Sequence, residues 1–364
     1  MATIYKYSIL ITFAHPNPNL AGNQAQVSYG PMPIQIDQFR FNKRSIRIIG
    51  NRARKIPDTQ QDLYGNANAI NNQIQKAIEY YYITCPQLTR VSSITIACGT
   101  KRPYYTYQNA NMYQQPLSYR RGAVNPWMLT PAVASDVLLY GGNGPTYRIA
   151  LSYCLRAAVE TNDFTIFSLL WRAFNALYRQ GAHSSKDSEG LNFVKRVIYS
   201  NYGALSLSNT SILKYRTDFA SLRWNKFIHN KVSFDTRNRS SRLDGIGTRT
   251  FLTRFYDGGI NAHFEQLLTN NRSLSNRINL LRGTSTHRIV SFLHTNGIGT
   301  GFRDSDVLII LVKEYAYFLR NTLFHGAVDE PSFTLGEIQE QKELGMAKVW
   351  LENIIKDLLN NHLI

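Results

Sequence analysis

The chain has 364 residues, 43% of them apolar or aromatic and 18% charged, with 41 Lys and Arg against 24 Asp and Glu. That length favours two domains with buried cores, and no apolar run reaches the roughly 18 residues of a membrane span. The net charge of +17 is uneven: 15 basic and 5 acidic residues precede Ala150, while 26 and 19 follow it, so the first part is basic because it lacks acids.

A charge excess of this kind favours a polyanionic partner, nucleic acid before an acidic membrane, because no basic amphipathic helix stands out. Three cysteines, Cys85, Cys98 and Cys154, include no CxxC pair, which argues for a reducing compartment and against a structural zinc site. The alternating opening lacks a small-residue cleavage site and reads as mature structure, so the expected location is the cytoplasm.

In chain order, Ile4 to Phe13 and Val91 to Cys98 have the β-branched, partly alternating pattern of strands. Between them, Ile70, Ile74, Ala77, Ile78 and Tyr81 recur at helical spacing, predicting a helix over 66–82. Tyr104 to Trp127 shows little periodicity and reads as loop, and Gly141-Gly-Asn-Gly-Pro145 places a domain boundary.

Beyond it the pattern turns helical. Tyr147 to Thr161 and Asp163 to Arg179 are two segments, the second with a stripe of Phe167, Leu170, Trp171, Phe174 and Tyr178. Weaker candidates are Asn192 to Tyr199, Phe219 to Lys231, Arg249 to Thr269, Ser275 to Leu281 and Thr286 to Thr295. Asp304 to His325 follows, with Asp304-Ser-Asp306 as cap candidates, and then Leu335 to His362, preceded by Thr334-Leu-Gly-Glu337 as a capping box. The expected fold class is an α+β N-terminal domain, residues 1–142, followed by an all-α helical bundle, residues 143–364.

Glycine pairs at 245–247 and 297–301 lack the Gly-Lys-Ser/Thr of a phosphate loop. His263-Phe-Glu265 lacks the Pro-Cys-x-x-Cys that would complete a zinc deaminase site. No cofactor and no metal is expected. The run from Arg40 to Lys55 holds seven cations and no acid, namely Arg40, Lys43, Arg44, Arg47, Arg52, Arg54 and Lys55, interleaved with Phe41, Ile46, Ile48 and Ile49. Such a strip can hold phosphates by charge while its apolar residues anchor it, or it can be a solvated basic face. Alternation in Ser45-Ile-Arg-Ile48 suggests a strand with arginines on one side. Tyrosines at 80–82 and 104–107 offer stacking surfaces for bases, against the commoner role in a core.

The strongest constellation closes the Asp304 segment: Arg320-Asn321-Thr-Leu-Phe-His325-Gly326, on a helix whose other residues are mostly apolar. Asn321 and His325 lie about 40° apart on one face, and Arg320 about 140° from His325, so one regular helix does not aim all three at one atom. A distorted last turn, or two copies meeting across a symmetric interface, would bring them together. His can move a proton near neutral pH, Arg can neutralise charge on a phosphoryl group, and Asn can orient either partner, which suits cleavage of RNA through its own 2′-hydroxyl. The same residues can also simply cap the helix end, where the dipole favours cations.

Here the sequence resembles the HEPN superfamily. The Arg-x4-6-His motif with a polar residue after the Arg stands as Arg320-Asn321-x3-His325, and Phe167-Ser-Leu-Leu-Trp171-Arg-Ala-Phe174 resembles the early bundle helix of Apea-like members. The resemblance covers roughly 145–364, with 185–300 poorly matched. It implies a homodimer with a composite site between two motif helices, and a metal-independent endoribonuclease that leaves 2′,3′-cyclic phosphate and 5′-hydroxyl ends. Catalytic members are often toxins or antiphage effectors, and an antitoxin or sensor protein is a possible partner. Carried over, His325 is the acid/base residue, Arg320 the phosphate stabiliser and Asn321 the orienting group. RNA is the expected partner, with the N-terminal domain binding it or sensing a trigger. The alternative is a HEPN protein that binds nucleic acid or a partner without cutting; a DNA-binding regulator lacks a helix-turn-helix or zinc finger.

Overall fold

The structure, a computed structural model, describes residues 4–53, 69–98, 105–108, 123–223, 302–324 and 339–364. It combines an N-terminal antiparallel sheet with a largely helical C-terminal part. The chain divides into two compact units, residues 1–190 with 358–364, and residues 191–357. That division falls later than the Gly141–Pro145 stretch.

In the first unit, strands β1 (Tyr5–Phe13), β2 (Gln24–Ser28), β3 (Ile36–Asn42), β4 (Ser45–Arg52), β5 (Val91–Cys98) and β6 (Tyr105–Gln108) form one antiparallel sheet in the order β2-β3-β4-β1-β5-β6. The expected strands at 4–13 and 91–98 are present. β6 lies inside the stretch read as loop: four residues are too few for a periodic signal, and pairing with β5 supplies what local pattern does not.

Helix α1 (Ala69–Thr84) fills the inner face. Ile9, Ile11, Phe39, Ile46, Ile48 and Ile94 from the strands meet Ile70, Ile74, Ala77 and Tyr81 from the helix, all nearly fully buried. Phe13 stacks flat on Tyr81 with 3.6 Å between ring centroids. The Tyr81 hydroxyl reaches the carbonyls of His15 (2.7 Å) and Lys43 (2.6 Å), tying the β3–β4 turn to the helix. Tyr80, Tyr81 and Tyr82 are therefore core residues and are not available to stack on bases.

A carboxylate on β3 enters this apolar layer. Asp37 is fully buried on β3 and accepts two hydrogen bonds from Arg52 (2.8 and 2.7 Å) and one from Gln73 Nε2 (2.9 Å). The Arg52 guanidinium lies 3.5 Å from the ring centre of Tyr29 and 4.8 Å from that of Tyr7. Gly50 makes room for the pair: a Cβ there would stand 1.9 Å from Asp37 Oδ1 and 2.8 Å from Tyr7 Oη. Further along α1, Lys76 donates to the Ser28 carbonyl at 2.6 Å, and Glu79 Oε2 is buried without a hydrogen-bond partner among the described residues.

Helices α2 (Gly144–Ala157) and α3 (Asp163–Ala182) complete the unit and pack on each other. Asn162 caps α3 by accepting from the amides of Phe164 (2.9 Å) and Thr165 (3.2 Å). Its expected stripe is buried throughout, with Phe174 edge-on to Tyr178. Helix α4 (Asp187–Asn201) starts where Asp187 accepts from Tyr178 Oη (2.9 Å) and Arg179 Nη2 (2.7 Å).

The second unit consists, among the described residues, of the remainder of α4, a short turn of helix at Ser206–Thr210, α5 (Ile212–Ala220), the motif helix α6 (residues 304–324) and α7 (Gln339–Asn360) as far as Asp357. Phe219, expected to begin a helix, instead lies in the last turn of α5. Trp350 donates to Asp218 Oδ2 at 3.0 Å, and buried Asp357 accepts from the amides of Leu207 (3.0 Å) and Ser208 (2.9 Å), capping the short turn. The expected helices between 224 and 301, and the capping box at Thr334, lie outside the described residues. No helix among the described residues is long and apolar enough to cross a membrane.

Two outcomes follow. Arg52→Met strands a buried carboxylate and should cost about 3–5 kcal/mol in urea unfolding, whereas Asp37→Leu with Arg52→Met should recover most of that loss. Burial pushes the Glu79 carboxyl up to about 8, against the opposing field of Arg148. The folded state therefore keeps a proton that the unfolded chain releases near 4.5, and stability falls as pH rises from there towards 8. Melting between pH 5 and 8 should show a downward slope in the wild type that Glu79→Gln flattens.

Candidate active site and basic surface

The motif helix α6 runs through three stretches: α-helix at Asp304–Ile309, a π-helical turn at Ile310–Tyr315, and α-helix again at Ala316–Phe324. Its apolar face is almost completely buried at Val307, Leu308, Leu311, Phe318 and Leu319. The N-cap is Arg303, without a side-chain cap bond, and not one of the expected acids. Those acids are drawn into tertiary pairs instead. Asp304 accepts from Arg216 at 2.5 and 3.1 Å, and buried Asp306 accepts from Tyr199 Oη at 2.7 Å and from Arg303 at 2.9 and 3.2 Å.

The π-turn is anchored from α7. Glu343, fully buried, accepts from Tyr315 Oη (2.9 Å), the Arg223 amide (3.0 Å) and the Arg223 guanidinium (3.0 and 2.7 Å). In the same turn Lys313 and Glu314 are both buried, with Nζ 3.0 Å from Oε1. Neighbouring residues on a regular helix do not face each other. Here the wide turn and the buried setting bring them into contact. Lys195 of α4 feels this cluster: burial, and then the charge of Lys313, lowers its pKa, while Glu314 and Asp306 oppose the shift. The sequence reading missed these groups. Two adjacent charges inside Val-Leu-Ile-Ile-Leu-Val-Lys-Glu-Tyr were the available signal, and π-turns are frequent at functional sites.

One and a half to two turns on stand Arg320 and Asn321, half-buried, between the buried Phe318 and Leu319 and the buried Thr322. Arg320 Nη1 donates to Asn321 Oδ1 at 2.8 Å, and the guanidinium lies 5.9 Å from the Tyr317 ring centre. The amide carbonyl thus orients the cation, one arrangement able to present an Arg to a phosphoryl oxygen. His325 lies outside the described residues.

The basic strip divides. Arg40 and Arg47 are directly opposed across β3 and β4 and exposed, and Lys43 and Arg44 are exposed in or beside the turn that joins these strands. Arg52 does not share that surface: it points inward to Asp37. Strand parity carried the answer, since residue 52 falls on the side of Ile46 and Ile48, opposite to Arg47. Arg54 and Lys55 lie outside the described residues, as do the glycine pairs and His263.

Comparison of the chain with protein-family models, curated proteins and solved structures finds no match in any of the three. Among the described residues no group of three or more His, Cys, Asp and Glu could hold a metal ion.

Tyr315→Phe removes one hydrogen bond to a buried carboxylate and should cost about 1.5–3 kcal/mol by urea unfolding. If Glu343 anchors the π-turn, that substitution should also lower whatever activity depends on Arg320.

Proposed function

We propose that the helical part is a metal-independent endoribonuclease of the HEPN type, acting as a cytoplasmic homodimer, and serving as a toxin or an antiphage effector. The observation that carries this reading is the Arg320–Asn321 pair, bonded at 2.8 Å and half-buried on a largely buried helix, at the start of the Arg-x4-His pattern.

In this reading His325 takes the proton of the RNA 2′-hydroxyl, the 2′-oxygen attacks the adjacent phosphorus, and the 5′-oxygen departs with a proton returned by an acid. A second His325 across the dimer would supply that acid. Arg320 neutralises the charge that builds on the non-bridging oxygens, and Asn321 keeps its guanidinium pointed at them. The products are a 2′,3′-cyclic phosphate and a 5′-hydroxyl. Cleavage is transesterification, so no water is consumed at this step.

The test is incubation of a labelled mixed-sequence RNA pool with purified wild type, Arg320→Ala and His325→Ala in excess EDTA, with end-group analysis. Cyclic-phosphate ends from the wild type alone are expected, with a loss of at least about a hundredfold in either variant. Equal cutting by wild type and His325→Ala would remove His325 from the chemistry. Binding without cutting by all three would favour the non-catalytic alternative.

A further inference from the structure

The outer face of the sheet, opposite α1, presents one chemistry. Its strand positions are Lys6, Ser8, Leu10 and Thr12 on β1, Gln24 and Gln26 on β2, Gln38, Arg40 and Asn42 on β3, Ser45, Arg47, Ile49 and Asn51 on β4, and Ser93, Thr95 and Ala97 on β5; all are exposed or half-buried. Between residues 4 and 53 the sequence contains a single acid, Asp37. That acid is buried on the other face and neutralised by Arg52. Lys6, Arg40, Lys43, Arg44 and Arg47 are left exposed, with no ion pair among the described residues.

Arg40 and Arg47 are direct cross-strand partners. Like charges in that position destabilise a sheet, and no carboxylate among the described residues relieves them. Arg40 is nonetheless held in place by a neutral chain. Its Nε and Nη2 donate to Gln38 Oε1 at 3.3 and 3.1 Å, and Gln38 Nε2 donates to Gln24 Oε1 at 3.0 Å. The guanidinium is positioned while its charge stays uncompensated. Beside this row, Leu10 pairs with Arg47, and Ile49 pairs with Ser8, which gives a half-buried aliphatic strip within a surround of amides and hydroxyls.

We propose that this face binds single-stranded nucleic acid, RNA in the cellular setting, with phosphates on the Arg40–Arg47 row and on the Lys43–Arg44 turn, and with bases against Leu10 and Ile49 within reach of the glutamine amides. Charge complementarity selects a polyanion, and the breadth of the face selects the single strand. Six strands at about 4.8 Å spacing make a surface roughly 24 Å wide. The major groove of B-DNA, about 12 Å wide, admits a helix or a two-stranded ribbon, and that of an A-form RNA duplex is deep and narrow, so a sheet of this breadth enters neither. On RNA, amides and aliphatic side chains reach the edges and faces of bases where these are unpaired and splayed out, as single strands allow. The site lies wholly within the first unit and does not rest on the ribonuclease reading.

The experiment measures binding of a labelled single-stranded RNA, and of a duplex RNA of the same length, to full-length His325→Ala in EDTA over a range of salt. Arg40→Gln with Arg47→Gln should weaken single-strand binding about tenfold at low salt and reduce the slope of log K against log salt by about 1.4, two phosphate contacts at about 0.7 each. Its melting temperature should stay the same or rise, because a like-charge pair is removed. Lys214→Glu with Lys342→Glu, two exposed cations of the second unit, makes a larger change in net charge elsewhere. Unchanged affinity in the Arg40/Arg47 variant, an equal loss in the Lys214/Lys342 variant, or duplex bound as tightly as single strand would each overturn the proposal. Because the protein used cannot cut through His325, failure here leaves the cleavage test standing, and failure of cleavage leaves this one standing.

Discussion

The buried pair of Asp37 and Arg52 is the constraint on which the first unit depends. An isolated carboxylate under an apolar helix would cost several kcal/mol. Arg52 and Gln73 meet that cost with three hydrogen bonds, and Gly50 vacates the space the pair occupies. A buried ion pair is often no more stabilising than an apolar replacement would be. Its consequence here reaches beyond stability. By drawing the one acid of the first fifty-three residues to the inner side, it leaves the outer side with cations only.

The second unit is organised around an equivalent group, Glu343. It gathers Arg223 and Tyr315 around a fully buried carboxylate, and so fixes the π-turn of the motif helix to α7. Asp304 and Asp306 do the same at the start of that helix. The helix that carries Arg320 and Asn321 is tied by side-chain bonds at its N-terminus and in its middle. Buried carboxylates in both units thus serve as fixed points that orient cations, inward in one case and along a helix in the other.

Much of this was legible in the residues. The adjacent strands β1 and β5, the helix between them in the chain and the stripe of α3 follow from periods of two and 3.6, which depend only on which side chains must leave water. Features with no periodic signature were not legible. β6 is four residues long, the π-turn inserts its irregularity within an unbroken apolar run, and the Asp304 cluster has the composition of a cap while its side chains pair with Arg216, Tyr199 and Arg303. A cap and a tertiary ion pair draw on the same residue types, and only a distant partner decides between them.

By itself the sequence determined that the chain is basic through a shortage of acids, that a strand-bearing part precedes a largely helical one, and that Arg320 and Asn321 lie late in an apolar helical stretch. The tertiary structure alone decided which cations face water. Arg40, Arg47 and Arg52 belong to one run of charge, yet strand parity and a carboxylate brought from β3 send Arg52 inward and leave the other two side by side outside. Composition counts charges without direction, whereas a pleated sheet assigns each to a face, and only packing against α1 settles which face is buried.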